Sequence, residues 1–154
     1  MTDTQSNPIT FHVIENETDL PSWISRAGLV EFLHTTMKPW EDTMADIQRA
    51  FDYCFSEAEG KGGFTILAED RGQLAGAVVF LHTGMGGYVP AHILLFISVD
   101  PDRRGQGLGR QLIERALARC DGPVKLHVEY DNPAKRLYER VGFTSKYAEM
   151  RYVP

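Results

Sequence analysis

The chain is poor in cysteine, with only Cys54 and Cys120 in 154 residues. Both fall at apolar positions of predicted helices, where a thiol serves as a small packing group, so free buried thiols are expected and no metal site is. Long apolar runs are also lacking. Nothing approaches the roughly 18–20 residues that span a bilayer, so no membrane association is expected. Met1 to Ser6 has neither the basic start nor the apolar stretch of a secretory signal, which makes a cytoplasmic enzyme the expectation. There is no positive excess: the net charge of −5 argues against nucleic acid as a partner. Repeats, low-complexity tracts and long linkers are absent, so residues 1–154 read as one domain, with 1–10 as a flexible N-terminal segment. At 43% apolar and 24% charged residues, the composition is that of a folded chain.

What is present is unevenly charged. Residues 101–140 carry nine Lys/Arg against six Asp/Glu, whereas residues 1–100 carry five against fourteen. A basic half suits an anionic cofactor, and an acidic half suits a cationic co-substrate such as an amine. The same charges also serve solubility.

The most informative stretch is 92–113. An apolar strand, His92 to Val99, runs through Asp100-Pro101-Asp102-Arg103 into Arg104-Gly105-Gln106-Gly107-Leu108-Gly109, which opens an amphipathic helix from about Leu108 to Cys120. Such a turn exposes backbone N–H groups at a helix N-terminus, where the macrodipole favours negative charge. Glycines let a phosphate approach the backbone, and Arg103, Arg104 and Arg110 add positive charge. The stretch reads as a pyrophosphate cradle. A nucleoside-triphosphate loop needs Lys-Ser/Thr after its last glycine, and Arg110-Gln111 stands there instead. The dinucleotide fingerprint fails at Arg110 and comes too late in the chain.

A second segment, Asn132-Pro133-Ala134-Lys135-Arg136-Leu137-Tyr138-Glu139-Arg140-Val141-Gly142-Phe143, reads as a capped helix. Asn132 suits the N-cap, Pro133 the first turn and Gly142 the position past the end. Ala134, Leu137, Tyr138 and Val141 share one apolar stripe, which turns Tyr138 toward the core. Together, the Arg-Gly-x-Gly-x-Gly turn after an apolar strand and this helix resemble the two motifs of the GNAT superfamily of N-acetyltransferases, over about residues 64–153.

The hydrophobic pattern gives the order β-α-α-β-β-β-α-β-α-β: an α/β (α+β) mixed, mostly antiparallel sheet with helices on both faces, the arrangement a GNAT fold has. The elements are a strand at 11–15, helical patterns at about 20–34 and 40–58, strands at 64–69 and 74–82, the strand at 92–99, then Val124–Tyr130, the helix 132–141 and a final strand from Thr144 to Tyr152. Alternation along 92–99 puts His92, Leu94, Phe96 and Ser98 on one side and Ile93, Leu95, Ile97 and Val99 on the other.

The resemblance implies that acetyl-CoA is the co-substrate and an amine of a small molecule or peptide the acceptor. The backbone of Ile97, Ser98 and Val99 would pair with the pantetheine arm like an added strand. The turn from Arg103 to Arg110, through Gly105, Gln106, Gly107, Leu108 and Gly109, would hold the pyrophosphate. Asn132 and Ala134 would meet the cofactor arm, and Tyr138 would donate its proton to the leaving sulfur. The base is open: His92 and Glu129 are the candidates carried forward, with His127, His82 and Glu31 as competitors. A homodimer is compatible with this size. The alternative from another class is a non-catalytic acyl-CoA-binding module that senses the cofactor or regulates a partner.

Overall fold

A computed structural model describes residues 9–154; the N-terminal segment expected to be flexible lies, up to residue 8, outside the described residues. Five strands form one sheet in the order β1-β2-β3-β4-β5: β1 Thr10–Ile14, β2 Gly63–Asp70, β3 Gln73–His82, β4 His92–Val99 and β5 Val124–Lys125. The first four pair antiparallel, and β5 runs parallel to β4. Helices α1 (Arg26–Thr36) and α2 (Met44–Cys54) cover one face, and α3 (Leu108–Leu117) and α4 (Ala134–Val141) the other. Among the described residues no helix is long and apolar enough to cross a membrane.

Both faces of β2 and β3 are buried, which is why these strands read as continuous apolar runs. Leu67, Ala77 and Val79 meet Leu29, Leu33, Ile47 and Phe51 of α1 and α2. The intervening Ile66, Val78 and Phe80 meet Leu112, Ile113 and Ala116 of α3. Cys54 is buried and Cys120 half-buried, both as free thiols.

Several expected boundaries move. Asp19 does not cap a helix forward; its carboxylate accepts the N–H groups of Glu15 and Asn16 behind it. The helix starts at Arg26, where the Ser25 hydroxyl accepts the Gly28 N–H at 3.1 Å. The second helix starts at Met44, with Thr43 accepting from Asp46, and stops at Cys54. The strand expected over Val124–Tyr130 pairs only at His92↔Val124 and Ile93↔Lys125. Beyond that point the two chains part, and Leu126 and Val128 pack on the core without a ladder. The final strand expected at Thr144–Tyr152 is not formed. Residues 144–154 are exposed and irregular.

The consequential correction lies in β4. Val79 pairs with Phe96 and Phe80 with Leu94, so Leu95 is an extra residue, a β-bulge. Simple alternation therefore fails: Leu94 packs toward α3 and α4, as do Ile97 and Val99, whereas Leu95 and Phe96 pack toward α1 and α2. Ser98 follows Phe96, and its hydroxyl lies 2.7 Å from that of Thr36 on α1.

Candidate active site

The turn after β4 is built by its own charges. Asp100 accepts from the Asp102 N–H and from the Arg103 guanidinium at 2.8 Å, and Arg103 also donates to Asp70 at 3.1 Å. Arg104 donates to the carbonyls of Val99 (3.1 Å) and Thr36 (2.7 Å), tying the turn to the ends of β4 and α1. Arg110 pairs with Glu114 one turn along α3. The three arginines assigned to an anion from sequence thus each have partners within the protein.

The backbone of the turn is open. The N–H groups of six consecutive residues, Gly105 to Arg110, have no hydrogen-bond partner among the described residues, and the first bond of α3 is Gln111 N–H to Gly107 C=O. Gly105 and Gly107 have φ of +80° and +79°, the left-handed region where glycine is favoured, and a Cβ on either would meet nothing within 4 Å. These two open the loop to a ligand. Gly109 differs: a Cβ there would lie 3.3 Å from Leu137, so its smallness lets α4 lie close to α3.

Beside the cradle runs a fork. From Leu94 to Val99, including Ile97, Ser98 and Val99, β4 has no strand on the side where β5 has turned away. An extended ligand can add to such an edge as a strand would. Tyr138 of α4 belongs to the same apolar cluster as Leu94, Ile97 and Val99. Its ring is 8% exposed and meets Phe143 edge-on at 6.1 Å. Its hydroxyl has no hydrogen-bond partner among the described residues, yet is not one of the oxygens sealed from solvent. Burial first, and the charge of Glu129 second, push the phenol up to about 12. Asn132 places its Oδ1 2.9 Å from the Ala134 N–H, which fixes the start of α4.

The base candidates separate by geometry. Glu129 is exposed on the segment after β5, near enough to Tyr138 and Asp42 to shift both. His92 is 7% exposed with both ring nitrogens engaged: Nδ1 lies 3.1 Å from Nδ1 of His82, and Nε2 lies 3.3 Å from Asp121. His127 and Glu31 are exposed. Sequence reasoning missed Thr36 and Asp121 as partners of this region. The His82–His92 contact was within reach, because a hairpin between the two strands sets His82 opposite His92.

A family model described as an acetyltransferase (GNAT) domain matches residues 61–145, more than half of the chain. The chain belongs to the GNAT acetyltransferase family. It is 33% identical over 130 residues to N-alpha-acetyltransferase 40 of Saccharomyces cerevisiae, covering 72% of this chain and 43% of that protein. It is 31% identical over 98 residues to a mycothiol acetyltransferase of Arthrobacter sp. (strain FB24), covering 60% and 30%. The chain spans 20–32% of the length of the mycothiol acetyltransferases it matches. Its fold is also that of the aminoglycoside N-acetyltransferase AAC(6')-Iy solved in complex with CoA, at a TM-score of 0.62 and 19% identity over 97% of each chain.

Proposed function

We propose that this GNAT protein transfers an acetyl group from acetyl-CoA to a primary amine by direct attack, with Tyr138 as proton donor to the departing sulfur. The observation that carries the reading is the hydroxyl of Tyr138, without a partner among the described residues on a nine-tenths-buried side chain of the cluster that also holds Leu94, Ile97 and Val99. A binder without chemistry has no need of a phenol there.

The residues fit acetyl-CoA as substrate. Six free amides suit the pyrophosphate oxygens, and the unpaired β4 edge suits the amides of a pantetheine arm. An N–H of that edge would polarise the thioester carbonyl and hold the developing oxyanion. The amine forms its C–N bond as the C–S bond breaks. An ordinary thiol titrates near 8.5, below a phenol at about 12. Tyr138 therefore acts mainly by hydrogen bonding to the charge growing on sulfur, and the proton it passes late is made good by the one the nitrogen sheds once its C–N bond has formed.

An amine must arrive neutral; Glu129, whose charge reaches both Tyr138 and Asp42, is the carboxylate assigned to take its proton, directly or through one water. Asp42 lies near Glu129, and partial burial first, then Asp46 and Glu129, raises it. These carboxylates favour an acceptor that is cationic before it reacts. The acceptor is a small-molecule or peptide amine, the protein works in the cytoplasm, and no metal is used. The test is release of free thiol from acetyl-CoA against a panel of amines. Acetyl-CoA bound at the cradle but left intact with every amine would favour the sensor instead.

A further inference from the structure

At the closed end of the fork the structure holds a chain of three side chains that the proposed reaction does not use. His82 ends β3, His92 begins β4, and Asp121 precedes β5. The rings meet edge-on with centroids 5.2 Å apart, Nδ1 facing Nδ1 at 3.1 Å, and His92 Nε2 lies 3.3 Å from the Asp121 carboxylate. The same residue ties β4 to β5 through its backbone: the His92 N–H donates to the Pro123 carbonyl at 3.3 Å, next to the only two paired positions of that edge.

The hydrogen bonds fix the tautomers. A carboxylate only accepts, so His92 carries its proton on Nε2 and has a bare Nδ1. His82 must then donate from Nδ1, leaving its own Nε2 without a hydrogen-bond partner among the described residues; the residue lines a cavity of about 410 Å³ at this end of the sheet. We infer that His82, His92 and Asp121 are positioning residues which clamp the closed end of the β4–β5 fork and so hold the β4 edge in the shape that acyl-CoA needs. The link to acyl-CoA rests on the reading above; the clamp itself does not.

A proton added to His82 goes to Nε2 and leaves the Nδ1–H···Nδ1 bond in place. Burial first, and His92 second, hold His82 below the ordinary histidine value. His82 is therefore neutral above about pH 6.5, and hydrogen bonds rather than charge hold the clamp there. The charged groups facing the pair are Asp121 ahead of β5, Glu15 after β1, Arg119 after α3 and Lys61 ahead of β2. Glu15 pairs with Arg119 at 2.7 Å, so Asp121 is the anion that answers the added proton.

His82→Asn keeps an N–H at the δ position and does not titrate, whereas His82→Val keeps bulk and loses the donor. Amide hydrogen exchange of the free protein at pH 7.5, corrected for the intrinsic rate, reads the clamp at residues 92–93 and 124–125. The wild type and His82→Asn should be protected alike there, and His82→Val should lack the protection. At pH 7.5, His82→Val should raise KM for acetyl-CoA roughly fivefold to tenfold, the scale of one hydrogen bond, with kcat within about twofold. Protection in His82→Val equal to that of the wild type, or His82→Asn behaving as His82→Val, would overturn the clamp. Failure of the wild type to bind acetyl-CoA would sink the proposed reaction instead, with the exchange data still deciding the clamp.

Discussion

Replacing Tyr138 by phenylalanine separates chemistry from packing because the structure gives opposite signs for the two. The ring is 8% exposed among apolar side chains and its hydroxyl has no protein partner. Removing a hydroxyl that forms no bond costs nothing in hydrogen bonding and relieves a desolvation penalty, so the melting temperature should hold or rise slightly. Turnover should fall about 10²-fold, roughly 2.7 kcal/mol in the transition state, with KM for acetyl-CoA within about twofold.

Alkaline stability offers a second reading of the same group. Its folded pKa of about 12 lies above the 10.0 of an unperturbed phenol. The stabilisation is full below pH 10 and is lost as pH rises toward 12, which is about 2–3 kcal/mol for about two units. Denaturant unfolding between pH 9 and 11.5 should show this loss in the wild type and not in Tyr138→Phe. Wild-type turnover in a stable Tyr138→Phe enzyme would refute the proton-donor role and return Tyr138 to the core.

Gly107→Glu should abolish acetyl-CoA binding by calorimetry, since it sets a carboxylate among the free amides; the side chain has room, so the fold persists at a cost of about 1–3 kcal/mol for the left-handed backbone. Arg104→Ala should weaken acetyl-CoA binding about tenfold while leaving its salt dependence unchanged, because the guanidinium holds the carbonyls of Val99 and Thr36 rather than a phosphate; a flatter salt dependence would mean that Arg104 faces the ligand. Basic acceptors should be acetylated faster than neutral amines of similar size, with the preference shrinking as salt is added, and a preference indifferent to salt would remove the acidic half of the chain from acceptor selection.

What was legible in the sequence is what neighbours in the chain decide. The glycine turn, the start of α4 at Asn132 and the apolar strands β2 to β4 follow from positive-φ glycines, a capping side chain and hydrophobic period, all readable within a few residues. What was not legible depends on residues far along the chain. The bulge at Leu95 is a matter of register against Val79 and Phe80. Arg103 and Arg104 look like phosphate ligands until their partners Asp70 and Thr36, 33 and 68 residues away, come into place. His92 looks free until Asp121, 29 residues on, takes its Nε2. The extent of β5 was overestimated for the same reason. Val124 to Tyr130 has the composition of a strand, but a strand needs a neighbour, and β4 supplies one for only two residues. The early end of that pairing makes the fork, so the error in the strand boundary fell on the site itself.

Glu129 is the carboxylate whose role pH can decide. An alkyl ammonium with a pKa near 10.4 is neutral in about one molecule in 2,500 at pH 7 and about one in ten at pH 9.5. A base in the site matters most where the free amine is scarce. Glu129→Gln keeps the size of the side chain and loses the charge. It should therefore lower kcat/KM about 10²-fold at pH 7, and the deficit should shrink steadily as pH rises and solvent does the deprotonation. The Tyr138 donor does not confuse the comparison, since a phenol at about 12 stays protonated throughout, and removing Glu129 lowers it only from above. A deficit that stays constant from pH 7 to 9.5 would show that Glu129 binds the acceptor by charge and takes no proton. No deficit at all would remove it from the site, with Asp42, the carboxylate near it, the next to test by the same crossover.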